Sequence, residues 1–133
     1  MLAEDHSKDV FTFWRYHNQC RIHNPLEVFS DGEDLVAYLA NTRATPALLL
    51  LDLKMPRMGG LQVLEHLKAS SHRGFTKVIL TETHDLNLVA NAYRLGVASF
   101  LMKPIIRVHP SLRIGGWSFS GCWSLVLGIS RLA

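Results

Sequence analysis

Short apolar runs alternate with amphipathic stretches along the first hundred residues of the chain. The apolar runs lie at 1–3, 26–29, 47–51, 77–80 and 99–102, and their length is that of buried strands. The stretches between them repeat apolar residues every three or four positions, which is the period of an α-helix. Five strands alternating with four helices predict an α/β fold with a doubly wound, five-stranded parallel sheet.

The boundaries of the predicted helices carry ordinary start and stop signals. The first helix is expected over 8–20, with Val10, Phe11 and Trp14 on the apolar face that packs into the core. Asp85 is placed to cap the fourth helix, and Gly96 is placed to end it. The strand at 47–51 is followed by a loop that contains a proline and a pair of glycines, which predicts a strand-to-helix connection.

The alternation stops after Pro104, where a fifth amphipathic helix is expected. Pro110 and the Gly115-Gly116 pair oppose a long helix. We therefore predict one domain over 1–104 and an atypical tail over 105–133, with the final helix atypical or missing. One hypothesis for the tail is a shifted reading frame beyond Pro104. The other is a partner-binding or dimerising apolar segment built on Trp117, Phe119, Trp123 and Leu125.

Charge and composition exclude several classes of protein. The net charge of +3 comes from three scattered arginines in the tail, Arg107, Arg113 and Arg131, and such spacing is not a nucleic-acid footprint. No apolar run approaches the roughly 20 residues of a spanning helix, and no signal peptide is recognisable. Cys20 and Cys122 are interpreted as free thiols in a reducing cytoplasm.

Chemically useful side chains stand at the carboxyl ends of four predicted strands. They are Glu4 and Asp5, then Asp52, Thr81 and Lys103. Strand ends share one edge of a parallel sheet, so these five side chains can converge where open α/β sheets bind ligands. Clustered carboxylates suit a hard cation such as Mg²⁺, while an ammonium and a hydroxyl can hold phosphoryl oxygens. This set favours phosphoryl transfer onto an aspartate.

On these residues the chain resembles a response-regulator receiver domain of the CheY-like, flavodoxin-like type. The resemblance covers about 1–104. It is carried by Glu4-Asp5, Asp52 with Met55-Pro56 and Gly59-Gly60, Thr81, Phe100 and Lys103-Pro104. Three further stretches are similar to the single-domain regulators of phytochrome-type histidine kinases: Asn24-Pro25-Leu26, Asp31-Gly32-Glu33-Asp34 with Tyr38-Leu39, and Ala92-Tyr93-Arg94-Leu95-Gly96.

The resemblance implies a phosphorylation-dependent switch and not a turnover enzyme. Asp52 would accept the phosphoryl group from a sensor histidine kinase. Asp5, Asp52 and the backbone carbonyl of Lys54 would hold Mg²⁺, and Glu4 would assist through water. Thr81 and Lys103 would bind phosphoryl oxygens. The Phe100 ring would follow Thr81 and transmit the change.

The chain departs from the family pattern at Lys54 and Glu82. Lys54 and Glu82 stand where related regulators often carry a polar and a small residue, and we hypothesise that they slow hydrolysis of the phosphoryl group by crowding the attacking water.

The alternative function is a phosphorylation-independent binding or dimerisation module of the same fold. A flavodoxin-like cofactor binder is disfavoured, because acids follow the first strand where a phosphate-cradling loop would be needed. The histidines show no ligand spacing, so His6 and His84 are interpreted as surface residues.

Overall fold

The sheet of the computed structural model is parallel throughout its five strands. The structure describes residues 1–19, 22–43, 46–70, 74–83 and 85–104, together with the backbone of 111–114 and 117–120. The strands are β1 (Leu2–Ala3), β2 (Val28–Phe29), β3 (Leu48–Asp52), β4 (Thr76–Thr81) and β5 (Ser99–Met102). Their order across the sheet is β2-β1-β3-β4-β5, with every neighbouring pair parallel. The predicted doubly wound sheet is confirmed.

Four helices cover the two faces of this sheet. They are α1 (Ser7–Gln19), α2 (Gly32–Asn41), α3 (Gly60–Ala69) and α4 (Leu86–Arg94). Because side chains alternate along a strand, Leu49 and Leu51 of β3 join the apolar side chains of α2, α3 and α4, whereas Leu50 joins Phe13 of α1. Strand β3 is therefore buried on both faces, which fixes the position of the residue at its end.

The apolar face predicted for α1 is confirmed at Val10 and wrong at Phe11 and Trp14. Phe13 is the buried residue of this helix, whereas Phe11 is 66% exposed and Trp14 is 54% exposed. Val10 and Tyr16 pack beside Phe13, three residues before and after it. The helix carries apolar residues on two overlapping stripes, and the stripe through residue 13 faces the sheet. Phe11 and Trp14 instead face outward next to the edge strand β2.

Helix ends follow the signals in the sequence. The Asp85 side chain accepts hydrogen bonds from the amides of Asn87 and Leu88, so it caps α4 as predicted. Gly96 follows the helix with φ of +87°, a conformation that glycine adopts without strain. Helix α2 begins at Gly32, because the Asp31 side chain accepts the Glu33 amide and caps the helix there.

The described part of the tail is extended. Strands β6 (Ser111–Ile114) and β7 (Trp117–Ser120) pair antiparallel as a separate hairpin. In this segment a hairpin takes the place where the family pattern has a helix, as the glycine pair and Pro110 indicated. Cys20, His84, Cys122 and the segment after 120 lie outside the described residues, as do the side chains of the tail. Among the described residues, no helix is long and apolar enough to cross a membrane.

Candidate functional site

The carboxyl ends of four strands bring the predicted side chains together. Glu4 follows β1, Asp52 ends β3, Thr81 ends β4 and Lys103 follows β5. Strand β5 reaches the site in register because the Lys103 amide donates to the Thr81 carbonyl oxygen at 2.8 Å. The parallel register therefore aligns one functional residue from each of these strands along a single edge.

Lys103 is the centre of the site. Its ammonium lies 2.6 Å from Glu4 Oε2, 3.0 Å from Asp52 Oδ2 and 3.2 Å from Asp9 Oδ2, and its side chain is only 4% exposed. Burial disfavours the charged form, but the contacts with Glu4 and Asp52 outweigh that cost and raise the pKa of Lys103. The lysine is therefore a permanent cation between buried carboxylates.

Glu4 pairs with the same lysine on the other side of the site. Burial raises the pKa of the Glu4 carboxyl, and the neighbouring Asp52 charge adds to the rise, while Lys103 opposes it. Its Oε1 accepts the amide of His6 at 3.1 Å. Two buried carboxylates thus share one ammonium, which leaves net negative charge at the sheet edge for a further cation.

Asp52 has the surroundings of a fixed nucleophile. It is 4% exposed; its Oδ1 accepts the Lys54 amide at 3.2 Å and its Oδ2 accepts from Lys103. The chain after it turns back closely, since a Cβ on Gly60 would overlap the Asp52 carbonyl oxygen. The glycine is thus needed for α3 to begin against the end of β3. Burial, two hydrogen bonds and this close turn hold the carboxylate in place.

An acidic cluster suited to a metal ion surrounds Asp52. Glu4, Asp5, His6 and Asp52 each offer one ligand atom, and these atoms all lie within 4.8 Å of one another. Three oxygen donors fit Mg²⁺, which binds through carboxylates and retains water. The His6 ring nitrogen Nδ1 adds a possible fourth donor and lies 3.2 Å from Asp5 Oδ1.

Sequence reasoning missed two members of this site. His6 is exposed, as predicted, but its ring joins the acidic cluster. Asp9 in the first turn of α1 reaches Lys103. A signal for both existed in the sequence, since they follow the Glu4-Asp5 pair within one helical turn of the start of α1, and the chain there has to turn back over the strand end.

The remaining predicted residues occupy distinct positions. Thr81 is buried and its hydroxyl oxygen accepts the Thr83 amide at 3.1 Å, which leaves the hydroxyl proton free to donate. Phe100 is buried and meets Tyr93 of α4 edge-to-face with ring centroids 6.4 Å apart. Lys54 and Glu82 are exposed. The structure thus assembles Glu4, Asp5, Asp52 and Lys103 directly, with Thr81 at the next strand end.

An aspartate between a buried ammonium and an acidic cluster, at the edge of a β2-β1-β3-β4-β5 parallel sheet, defines a receiver-type switch domain. The chain belongs to the family of response regulator receiver domains, which matches it over residues 1–109. Members of this family serve as phospho-accepting switches in two-component signalling.

Individual relatives place the chain within this family. It is 34% identical to the bacteriophytochrome response regulator AtBRR, with a TM-score of 0.69, covering 78% of this chain and 80% of that one. It is 29% identical to the Mn²⁺-bound form of response regulator Rcp1, with a TM-score of 0.71, covering 77% and 78%. Among curated proteins it is 37% identical over 78 residues to the Regulator of RpoS of Escherichia coli (strain K12). That match covers 57% of this chain but only 22% of the regulator.

Proposed function

We propose that this chain is a single-domain response regulator that accepts a phosphoryl group on Asp52 from a histidine of a sensor kinase of the phytochrome type. The observation that carries the proposal is the contact of the buried Asp52 carboxylate with Lys103. The phytochrome assignment rests on the likeness to AtBRR and Rcp1. We also propose a cytoplasmic location, and a domain boundary near residue 104, where the alternation of strands and helices ends.

The geometry supports a direct transfer. An Asp52 oxygen attacks phosphorus, the bond from phosphorus to the donor nitrogen breaks, and the electron pair leaves with the histidine. Lys103, now held by Asp52 Oδ2, is close enough to follow the negative charge onto a phosphoryl oxygen, and the Thr81 hydroxyl can donate to another. Because these donors are already in place, little reorganisation is needed during transfer.

The acidic cluster would hold Mg²⁺ during this step. Asp5, Asp52 and the Lys54 carbonyl are the proposed ligands, with Glu4 and His6 beside them. A bound divalent cation would neutralise the repulsion between the carboxylates and an incoming phosphoryl group. The Rcp1 structure, which is a Mn²⁺-bound form, supports a divalent site of this kind.

The output would be a change at the surface formed by α4 and β5. Movement of Thr81 toward a phosphoryl group would vacate space behind it, into which the Phe100 ring can turn. Phe100 contacts Tyr93, which is half exposed on α4. Phosphorylation at the sheet edge would therefore change the surface that a partner contacts through the Phe100–Tyr93 pair.

Incubation with Mg²⁺ and acetyl phosphate, followed by intact mass measurement, tests the proposal. We expect one added phosphoryl group in the wild type and none in Asp52→Asn. Asp85→Asn is the matched control, because it makes the same chemical change at a helix cap where asparagine serves equally well. Addition in Asp52→Asn, or none in the wild type, would contradict the proposal.

A phosphorylation-independent binding module is the second candidate. Phe11, Trp14 and Val28 line an apolar groove of ≈ 430 Å³ between α1 and β2, and Glu4 and Asp5 also line it. Such a groove can bind a partner whether or not Asp52 is modified. A folded chain that takes up no phosphoryl group would favour this function, and dimerisation through the tail remains a prediction for sedimentation.

A further inference from the structure

Arg57 contacts three carboxylates of another element. It lies in the loop between β3 and α3, and its guanidinium reaches Asp31 Oδ2 at 3.0 Å, Asp34 Oδ2 at 2.9 Å and Glu33 Oε2 at 3.5 Å. Asp31 is buried and also caps α2 through its other oxygen. One side chain of the loop thus binds the whole first turn of α2.

The loop held by Arg57 is the loop that shapes the site. Residues 53–59 run directly on from Asp52, and Lys54 within it donates its amide to Asp52 Oδ1. The base of the loop is closed by the Gly60 amide, which donates to the Leu53 carbonyl oxygen at 3.1 Å. Its tip packs on α2, where a Cβ at Gly32 would overlap the Met58 carbonyl oxygen. Because the loop is short and closed at its base, the position of its tip at residues 57–58 affects the orientation of the Lys54 peptide toward the acidic cluster.

The backbone at Arg57 is held in an unfavourable conformation. Its φ is +55°, a left-handed conformation in which a residue with a Cβ is strained. Strained backbone persists where surrounding contacts fix it, and the contacts of this side chain are the three carboxylates of α2. The contacts of the Arg57 side chain with Asp31, Glu33 and Asp34 therefore hold its backbone in this strained conformation.

We propose that Arg57 is a positioning residue for the metal and phosphoryl site. Its clamp on Asp31, Glu33 and Asp34 holds the β3–α3 loop so that the Lys54 peptide is presented to the cation beside Asp52. The inference rests on the proposed function for the identity of the site, and it adds a residue that touches neither the cation nor the phosphoryl group.

Electrostatics and positioning predict opposite results when Arg57 is removed. Arg57→Ala deletes a positive charge and releases three carboxylates, so Coulomb attraction alone strengthens the binding of a divalent cation or leaves it unchanged. Loss of positioning weakens it instead. The ion pairs with Glu33 and Asp34 are exposed and contribute little to stability, whereas loss of the pair with the buried Asp31 is destabilising. Circular dichroism therefore establishes first that Arg57→Ala is folded. Arg57→Lys, which keeps a cation beside Asp31, carries the test if the alanine variant does not fold.

The experiment is a Mn²⁺ titration followed by the electron paramagnetic resonance signal of the free ion. We expect Arg57→Ala to bind Mn²⁺ about tenfold more weakly than the wild type, the usual effect of losing a residue that orients metal ligands. Arg57→Lys should fall between the two, because an ammonium cannot pair with three carboxylates as a guanidinium fork does. Arg94→Ala, which removes an exposed arginine bonded only to Asn91 among the described contacts of its side chain, is the charge-matched control and should bind as the wild type does.

Unchanged or tighter Mn²⁺ binding by folded Arg57→Ala would overturn the inference. So would equal weakening in Arg94→Ala, since that would be an effect of net charge. The titration is independent of phosphoryl transfer: a wild type that binds Mn²⁺ but takes up no phosphoryl group would contradict the proposed function alone, and the ratio of the affinities would still decide the role of Arg57.

Discussion

Replacing Lys103 by methionine tests the electrostatic account of the site. The substitution keeps an apolar stem of similar length and removes the cation that lies 2.6 Å from Glu4 and 3.0 Å from Asp52. Both carboxylates are buried and lose their common partner. Removing one member of a buried ion pair costs about 3–5 kcal/mol. We expect the lower value, about 3 kcal/mol, because the third partner of Lys103, Asp9, is partly exposed and can be solvated by water when the lysine is removed.

The assay is urea unfolding followed by circular dichroism near neutral pH, without divalent cations. The midpoint should fall while the slope stays constant, since the same surface is exposed on unfolding. Adding Mg²⁺ should restore much of the loss, because a cation that binds only the folded state stabilises it. Lys68→Met is the matched control: that ammonium is exposed, bonds the Arg94 carbonyl oxygen and faces no buried acid.

The sign of the pH dependence follows from the pKa shifts. The raised pKa of Lys103 means that its contribution in the wild type is complete below the unfolded lysine pKa and is lost only as the pH rises through the folded value. Burial already raises the pKa of Glu4, so a proton can replace the missing cation in the variant as the pH falls. The difference between variant and wild type should therefore shrink as the pH falls from neutrality. A loss below about 1 kcal/mol, or one that does not change with pH, would refute the reasoning.

Three further outcomes are expected. Lys77→Met should raise the free energy of unfolding by about 1 kcal/mol at neutral pH, because burial lowers the pKa of Lys77 and makes its charged form costly. The gain should shrink as the pH rises from the folded to the unfolded lysine pKa. A variant that is less stable in urea would show that the contacts of Lys77 with the Phe75 ring and carbonyl oxygen outweigh the cost of burial. Asp85→Ala should lower the thermal midpoint through a loss of about 1 kcal/mol, measured beside Asp85→Asn, and equal midpoints for all three proteins would mean that the cap contributes nothing. Lys54→Asn combined with Glu82→Ala should shorten the phosphoryl half-life at least about twofold, followed by intact mass after removal of the donor, and equal half-lives would eliminate the crowding hypothesis.

The parallel sheet could be predicted because its signal is local. Each strand is a short apolar run, and β3 is apolar on both faces, so length and flanking turns suffice to assign it. The convergence of Glu4, Asp52, Thr81 and Lys103 then follows from topology alone, since parallel strands end at one edge. The helix cap at Asp85 was equally accessible, because a cap is recognised within four residues.

Features that depend on tertiary contacts could not be predicted in the same way. The face of α1 was assigned wrongly because Phe11, Phe13 and Trp14 are all apolar, and only packing against β1 and β3 selects Phe13. The position of Asp9 just after Glu4-Asp5 indicates that it lies near the site, but its partner is not readable from the sequence. Neither its pairing with Lys103 nor the clamp of Arg57 on α2 leaves a spacing pattern, because each joins segments far apart in the chain. These side chains come within contact distance only when the sheet and helices have folded.

The last strand of the sheet supplies the lysine that the first strand requires. Glu4 leaves the ribosome before Lys103, because the cation that lies against it comes 99 positions later in the chain. During synthesis Asp52 therefore emerges without Lys103, and any compact intermediate formed before β5 has to protonate, expose or otherwise neutralise its acids. Native contacts across such long separations form slowly. Under the proposed function, competence to receive a phosphoryl group would therefore appear only at the end of folding, and a chain that lacks β5 would not be phosphorylated.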